Sequence, residues 1–208
     1  PILTGSPMEQ PYEERSQARQ LTAIVLAAIA IRLLYQAAMV ASDGSFHNGS
    51  DSGKYIDAAS SLLATGQWPV TDRMPIYILF VAAFFKTAGG EALRAIVTAQ
   101  AFIDGLSVLA IAIAAKALSQ RLVIPAALMA AVLPNFIIHT SYILQETLFT
   151  LLFSCGMCAL LWAIRSVKPG KLLLITGLLF GTTLWIRLTL IYYPIFLVPA
   201  LAVALKLN

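Results

Sequence analysis

The sequence predicts an all-α integral membrane protein: six transmembrane helices, with amphipathic or re-entrant juxtamembrane helices in the first outer loop. Three observations predict this. Of the 208 residues, 59% are hydrophobic and only 12% charged, against about 25% charged in an average soluble domain. The mean hydropathy is +0.82. Long apolar runs recur along the chain with a helical period, not the two-residue alternation of a barrel strand. The net charge of +4 is small and its Lys and Arg sit at the ends of apolar runs. That distribution excludes a nucleic-acid stripe.

A bilayer core of ~30 Å needs ~20 apolar helical residues. The expected spans are 20–41, 93–115, 122–140, 147–164, 171–187 and 188–206. Residues 1–7 precede Met8 and read as a cloning remnant, leaving 8–208 as a single transmembrane module. No cleavable signal is expected, because the first apolar run is long enough to stay as an anchor. Cys155 and Cys158 form a CxxC inside an apolar run and read as small packing residues, since no further metal ligand lies near them.

One apolar piece, Pro75 to Thr87, is too short for an easy crossing. Charge decides its place. If it does not cross, Arg15, Arg19, Lys116, Arg121, Arg165, Lys168, Lys171 and Lys206 share the cytoplasmic side. Asp43, Asp51, Asp57, Asp72, Glu91 and Glu146 then gather outside. The expectation is therefore an inner or plasma membrane protein, multi-pass, with both termini cytoplasmic and the active face outside.

The first outer loop then runs from about 42 to 92. Asp51 to Leu63 reads as a surface-lying amphipathic helix, with Tyr55, Ala58, Ala59, Leu62 and Leu63 on its apolar face. Gly66 ends it, and Trp68 and Tyr77 suit the headgroup level. Pro75 opens the next helix, where its missing N–H costs little. A short second loop (140–146) and a turn at Arg187 complete the outer side.

Candidate site residues follow from this placement. Asp51 is a general base, a cation-binding carboxylate or merely a helix N-cap. Arg73 suits bidentate phosphate binding, or a snorkelling headgroup contact. Glu146 is the one acid between residues 105 and 208. Two loop carboxylates suit acid–base work or a divalent cation. Arg187, flanked by Trp185, Tyr192 and Tyr193, suits a lipid phosphate at the membrane boundary. Arg32 and Asp104 lie at similar depths in their spans and are expected to pair. His47 and His139 lie near the outer face as ligands, proton carriers or ordinary loop residues. Asn48-Gly-Ser50 is a formal glycosylation sequon.

The run Asp51-x-x-x-Tyr55-x-x-Ala58, then Leu63-x-x-Gly66, then Arg73-x-Pro75-x-Tyr77, resembles the start of GT-C superfamily membrane glycosyltransferases. The protein O-mannosyltransferase and aminoarabinose-transferase-like branch is the nearest group. Glu146 in Leu-Gln-Glu, and Gly177-x-x-x-Gly181 followed by Arg187, are similar to its later motifs. The resemblance implies a polyprenyl-phosphate-linked sugar as donor, transfer on the outer or periplasmic face, and inversion at the sugar carbon. It implies Asp51 and Glu146 as the catalytic acids. Arg73 and Arg187 become candidates for the lipid phosphate. Tyr55 and His139 are further candidates for substrate binding. Members run to more than twice this length, so the resemblance covers their N-terminal module. The alternatives are a non-catalytic lipid-binding or scaffolding subunit, in a homo- or hetero-oligomer, and a small transporter. A transporter would place its charges nearer the midplane.

Overall fold

The computed structural model describes residues 10–43, 50–192 and 198–199. Every regular element among them is helical. The helices are α1 (Gln10–Asp43), α2 (Ser50–Thr65), α3 (Pro75–Ala88), α4 (Ala92–Leu118), α5 (Val123–Val132), α6 (Pro134–His139), α7 (Glu146–Arg165) and α8 (Gly170–Leu184). Stretches long and apolar enough to cross a bilayer are Arg15–Ala41, Pro75–Leu118 and Glu146–Arg165, with Gln120–Val132 and Gly170–Leu184 shorter. Large apolar side chains such as Leu34, Met129 and Leu174 point outward from them, as lipid-facing residues do. Of the expected span 188–206, residues 193–197 and 200–206 lie outside the described residues, as do residues 1–7, His47 and Asn48.

α4 is the central helix. It packs on α7, α1, α5 and α3, and α7 in turn carries α8. Its buried face is made of small residues, among them Ala101, Gly105, Ala112 and Ala115, which let neighbouring backbones approach. Gly156 does the same on α7: a Cβ there would stand 2.8 Å from the Phe180 ring of α8. Gly177 and Gly181 meet nothing within 4 Å, so that pair marks no close helix crossing here.

The short apolar helix α3 folds back on α4. Gly89 (φ 54°) lies in the left-handed region and turns the chain. The Tyr77 hydroxyl then donates to Gln100 Oε1. In a continuous helix those residues would stand about 35 Å apart, so α3 and α4 are an antiparallel hairpin. α3 covers only the first part of α4 and stops well short of Leu118. α2 packs on α3, not alone on a lipid surface. Tyr55, Ala58 and Ala59 join Tyr77, Ile78, Val81, Ile96 and Val97 in one apolar cluster. Leu63 points away from it and is exposed. Gly66 (φ 69°) stops α2, its N–H donating to Leu62 O at 2.9 Å, a C-terminal bond of the left-handed kind. Trp68 is exposed as expected at a headgroup level, but Tyr77 is fully buried, because its hydroxyl has found Gln100.

The expected span 122–140 is broken. Leu133 is extended (φ −63°, ψ 118°) between α5 and α6. Pro134 explains this, since a proline pushes its predecessor out of the helical region. Pro134 also has no N–H for the Ala130 carbonyl. Arg32 of α1 supplies the donors instead: Nη1 to Ala131 O at 2.9 Å and Nη2 to Ala130 O at 3.3 Å. Its Nε donates to Asp104 of α4. The expected Arg32–Asp104 pair is present, fully buried, and it caps a proline-broken helix.

Candidate functional site

Two acid–arginine pairs meet at the end of the bundle where α2, α3 and α7 begin. The first is Asp51–Arg73. Asp51 lies in the first turn of α2, where a carboxylate complements the helix dipole. Its Oδ1 accepts from Arg73 Nη2 at 2.5 Å. Arg73 is held in place from below: its N–H donates to Thr71 Oγ1 at 3.1 Å, and Met74 and Pro75 start α3 immediately after it. Its guanidinium carbon stands 5.6 Å over the Tyr55 ring, and Nε lies 3.4 Å from Asp72 Oδ1. The second pair is Glu146–Arg187, with Nη1 3.5 Å from Oε1. Glu146 opens α7, and Arg187 follows the last turn of α8.

Tyr55 ties the two pairs together. Its hydroxyl donates to Gln145 Oε1 at 2.7 Å, next to Glu146. Its ring meets Tyr77 edge-on at 4.8 Å. Burial pushes the Tyr55 phenol up to about 12; the Arg73 charge opposes this, and Glu146 adds to it. The phenol is therefore a neutral donor at any physiological pH. A backbone bond from Ile76 N–H to Trp185 O (3.4 Å) brings the start of α3 to the end of α8. Asp51, Tyr55, Arg73, Glu146 and Arg187 thus converge from three distant parts of the sequence. Asp57 and Asp72 are exposed beside them, and Lys54 Nζ lies 3.9 Å from Asp72 Oδ2.

His139 ends α6, and its Nδ1 is buried without a hydrogen-bond partner. The segment after it is fixed by two glutamines. Gln36 donates to Val97 O (2.9 Å) and Thr140 O (3.0 Å). Gln100 donates to Thr140 O (3.1 Å) and Tyr142 O (2.7 Å) while accepting from Tyr77. These glutamines hold the 140–145 strap that presents Gln145 and Glu146. Neither was among the expected site residues. The signal for them was an amide inside an apolar span, one turn from Arg32 and from Asp104, since polar groups at such depth need partners.

Several polar atoms around the site are buried without a hydrogen-bond partner: Ser52 Oγ, Glu146 Oε2 and Thr147 Oγ1. Orphaned donors and acceptors in one place are expensive unless a ligand or water completes them. Among the described residues, no three His, Cys, Asp or Glu side chains stand together as a metal would need. Cys155 and Cys158 are free and half-buried on α7. Compared with protein-family models, curated proteins and solved structures, the chain gives no match.

Proposed function

We propose that the chain is the membrane module of a glycosyltransferase. It moves a sugar from a polyprenyl-phosphate carrier to an acceptor at the outer face of the inner or plasma membrane. The observation that carries this reading is the convergence of Asp51–Arg73 with Glu146–Arg187 around unpartnered polar atoms. The charge pattern supports the sidedness. Gln17 of α1 meets Gln120, and Arg165 of α7 donates to Leu118 O. The Lys116, Arg121 and Arg165 end is therefore the opposite end of the bundle from Glu146. Placing it in the cytoplasm obeys the positive-inside rule.

In this mechanism the acceptor hydroxyl attacks the anomeric carbon, and Asp51 takes its proton. The carbon–oxygen bond to phosphate breaks with inversion, and its electron pair leaves on the polyprenyl phosphate. Arg73 and Arg187 neutralise that phosphate as charge develops. Phosphate competes with Asp51 for Arg73, so donor binding frees the carboxylate for its role as base. Glu146 holds the second arginine in line. A divalent cation would need oxygens beyond Asp51 and Glu146.

The test is sugar transfer from a polyprenyl-phosphate donor in reconstituted membranes. Asp51→Asn is expected to lower the rate by about 100-fold or more, the typical worth of a general base. Glu146→Gln should act in the same direction, with the thermal unfolding of both variants close to the parent. Parental transfer by both variants would remove the catalytic reading. The second reading, a non-catalytic lipid-binding or scaffolding subunit, is favoured by one fact: each acid is already paired to an arginine.

A further inference from the structure

We propose that the groove between α4, α5 and α7 holds one acyl chain of an anionic phospholipid, with its headgroup on the basic rim of Lys116, Arg121 and Arg165. The groove encloses about 540 Å³. Ile111, Ala115 and Leu118 form its α4 wall, and Phe149, Phe153 and Leu161 its α7 wall. Alanines on α4 and α5 open the space, while the α7 rings bound it. Its polar members are Thr150 and Ser154, whose hydroxyls a helix can satisfy on its own carbonyls. A cavity of this chemistry takes hydrocarbon in preference to water. From Phe149 to Leu161 the wall is about 18 Å long at ~1.5 Å per residue. One leaflet of a ~30 Å hydrocarbon core is about 15 Å deep.

Charge marks where the head of such a lipid sits. Arg165 Nη2 donates to the carbonyl of Leu118 at 3.0 Å, at the end of the groove. Lys116, Arg121 and Lys168 are exposed near it. Among the described residues, none of these four cations is in an ion pair with an acid. Asp51, Asp57, Asp72 and Glu146 are at the other end, and Asp104 is buried with Arg32. An apolar slot one leaflet long, ending in guanidinium and ammonium groups, complements a phosphodiester with net negative charge. A polyprenyl phosphate at the Glu146–Arg187 end would enter from the opposite direction. The inference rests on membrane insertion alone, not on sugar transfer.

Trp162 is the built-in reporter, since its indole Nε1 donates to Ile113 O at 3.2 Å beside the groove. A variant with Trp68→Phe and Trp185→Phe keeps it as the only tryptophan. The variant is placed in phosphatidylcholine vesicles containing either brominated-chain phosphatidylglycerol or brominated-chain phosphatidylcholine. Phosphatidylglycerol is expected to quench Trp162 at about fivefold lower mole fraction, the ratio that one surface cation supplies. Lys116→Gln, Arg121→Gln and Arg165→Gln together, all surface changes, should make the two lipids equal. Ala126→Phe should fill the groove and remove the extra quenching while leaving the rim charged. Equal quenching in the parent would overturn the proposal. So would quenching by brominated polyprenyl phosphate alone, or a cross-linked dimer in which neither phospholipid reaches Trp162.

Discussion

Arg32 carries more of this structure than any other single side chain. It is fully buried, paired with Asp104, and donates to the two carbonyls that the Pro134 break leaves open. Removing one partner of a buried ion pair typically costs about 3–5 kcal/mol, because the other charge is left uncompensated. Arg32→Ala is expected to destabilise by that amount, read as denaturant or thermal unfolding in detergent micelles. The double change Arg32→Met with Asp104→Leu should recover only part of the loss. It removes both charges, but the Ala130 and Ala131 carbonyls stay without donors, at about 1–3 kcal/mol for such a group. Full recovery would mean that the charge pair, not the capping, is what Arg32 contributes. The pair was legible in the sequence from matched depth. The capping was not, because it depends on where α1 passes α5.

Helix ends decide how the segment between α1 and α4 is arranged. α2 stops at Gly66 and α3 at Gly89, both with positive φ. At Gly66 a Cβ would meet nothing within 4 Å. Gly66→Ala is therefore expected to cost only backbone strain, about 1–2 kcal/mol. Gly66→Asn should cost less, since asparagine visits that conformation more readily. A larger loss from alanine, measured in the same micelles, would point to a packing role instead. α2 and α7 were readable from apolar spacing and end signals to within two residues. The break at Leu133 shows the limit of hydropathy: the run from 122 to 140 stays apolar through Pro134, yet the backbone cannot stay helical there. Tyr77 shows another limit. An aromatic near a span end suits a headgroup belt equally well until Gln100 is seen opposite it.

On the scale of the whole molecule, the paired acids and the basic cluster lie at opposite ends of the bundle. Asp51, Asp57 and Glu146 sit at the end where α2, α3 and α7 begin, and Lys116, Arg165 and Lys168 at the other. With Cys155 and Cys158 replaced by serine, Asp57→Cys is expected to react with an impermeant maleimide on intact cells. Lys168→Cys should react only after permeabilisation. Labelling of both from one side would break the sidedness on which the proposed activity depends.

The sequence alone determined the membrane class, the identity of the long helices, a separate short helix opening at Pro75 and the residues worth watching. All of these follow from local hydropathy, charge and end signals, which each segment carries in itself. Only the tertiary structure decided that Asp51–Arg73 and Glu146–Arg187 share one end through Tyr55 and Gln145, and that Gln36 and Gln100 hold the 140–145 strap. Those outcomes depend on which helix faces which. That is set by the small-residue face of α4 and by the partners that buried polar groups must find, neither of which is visible within a single segment.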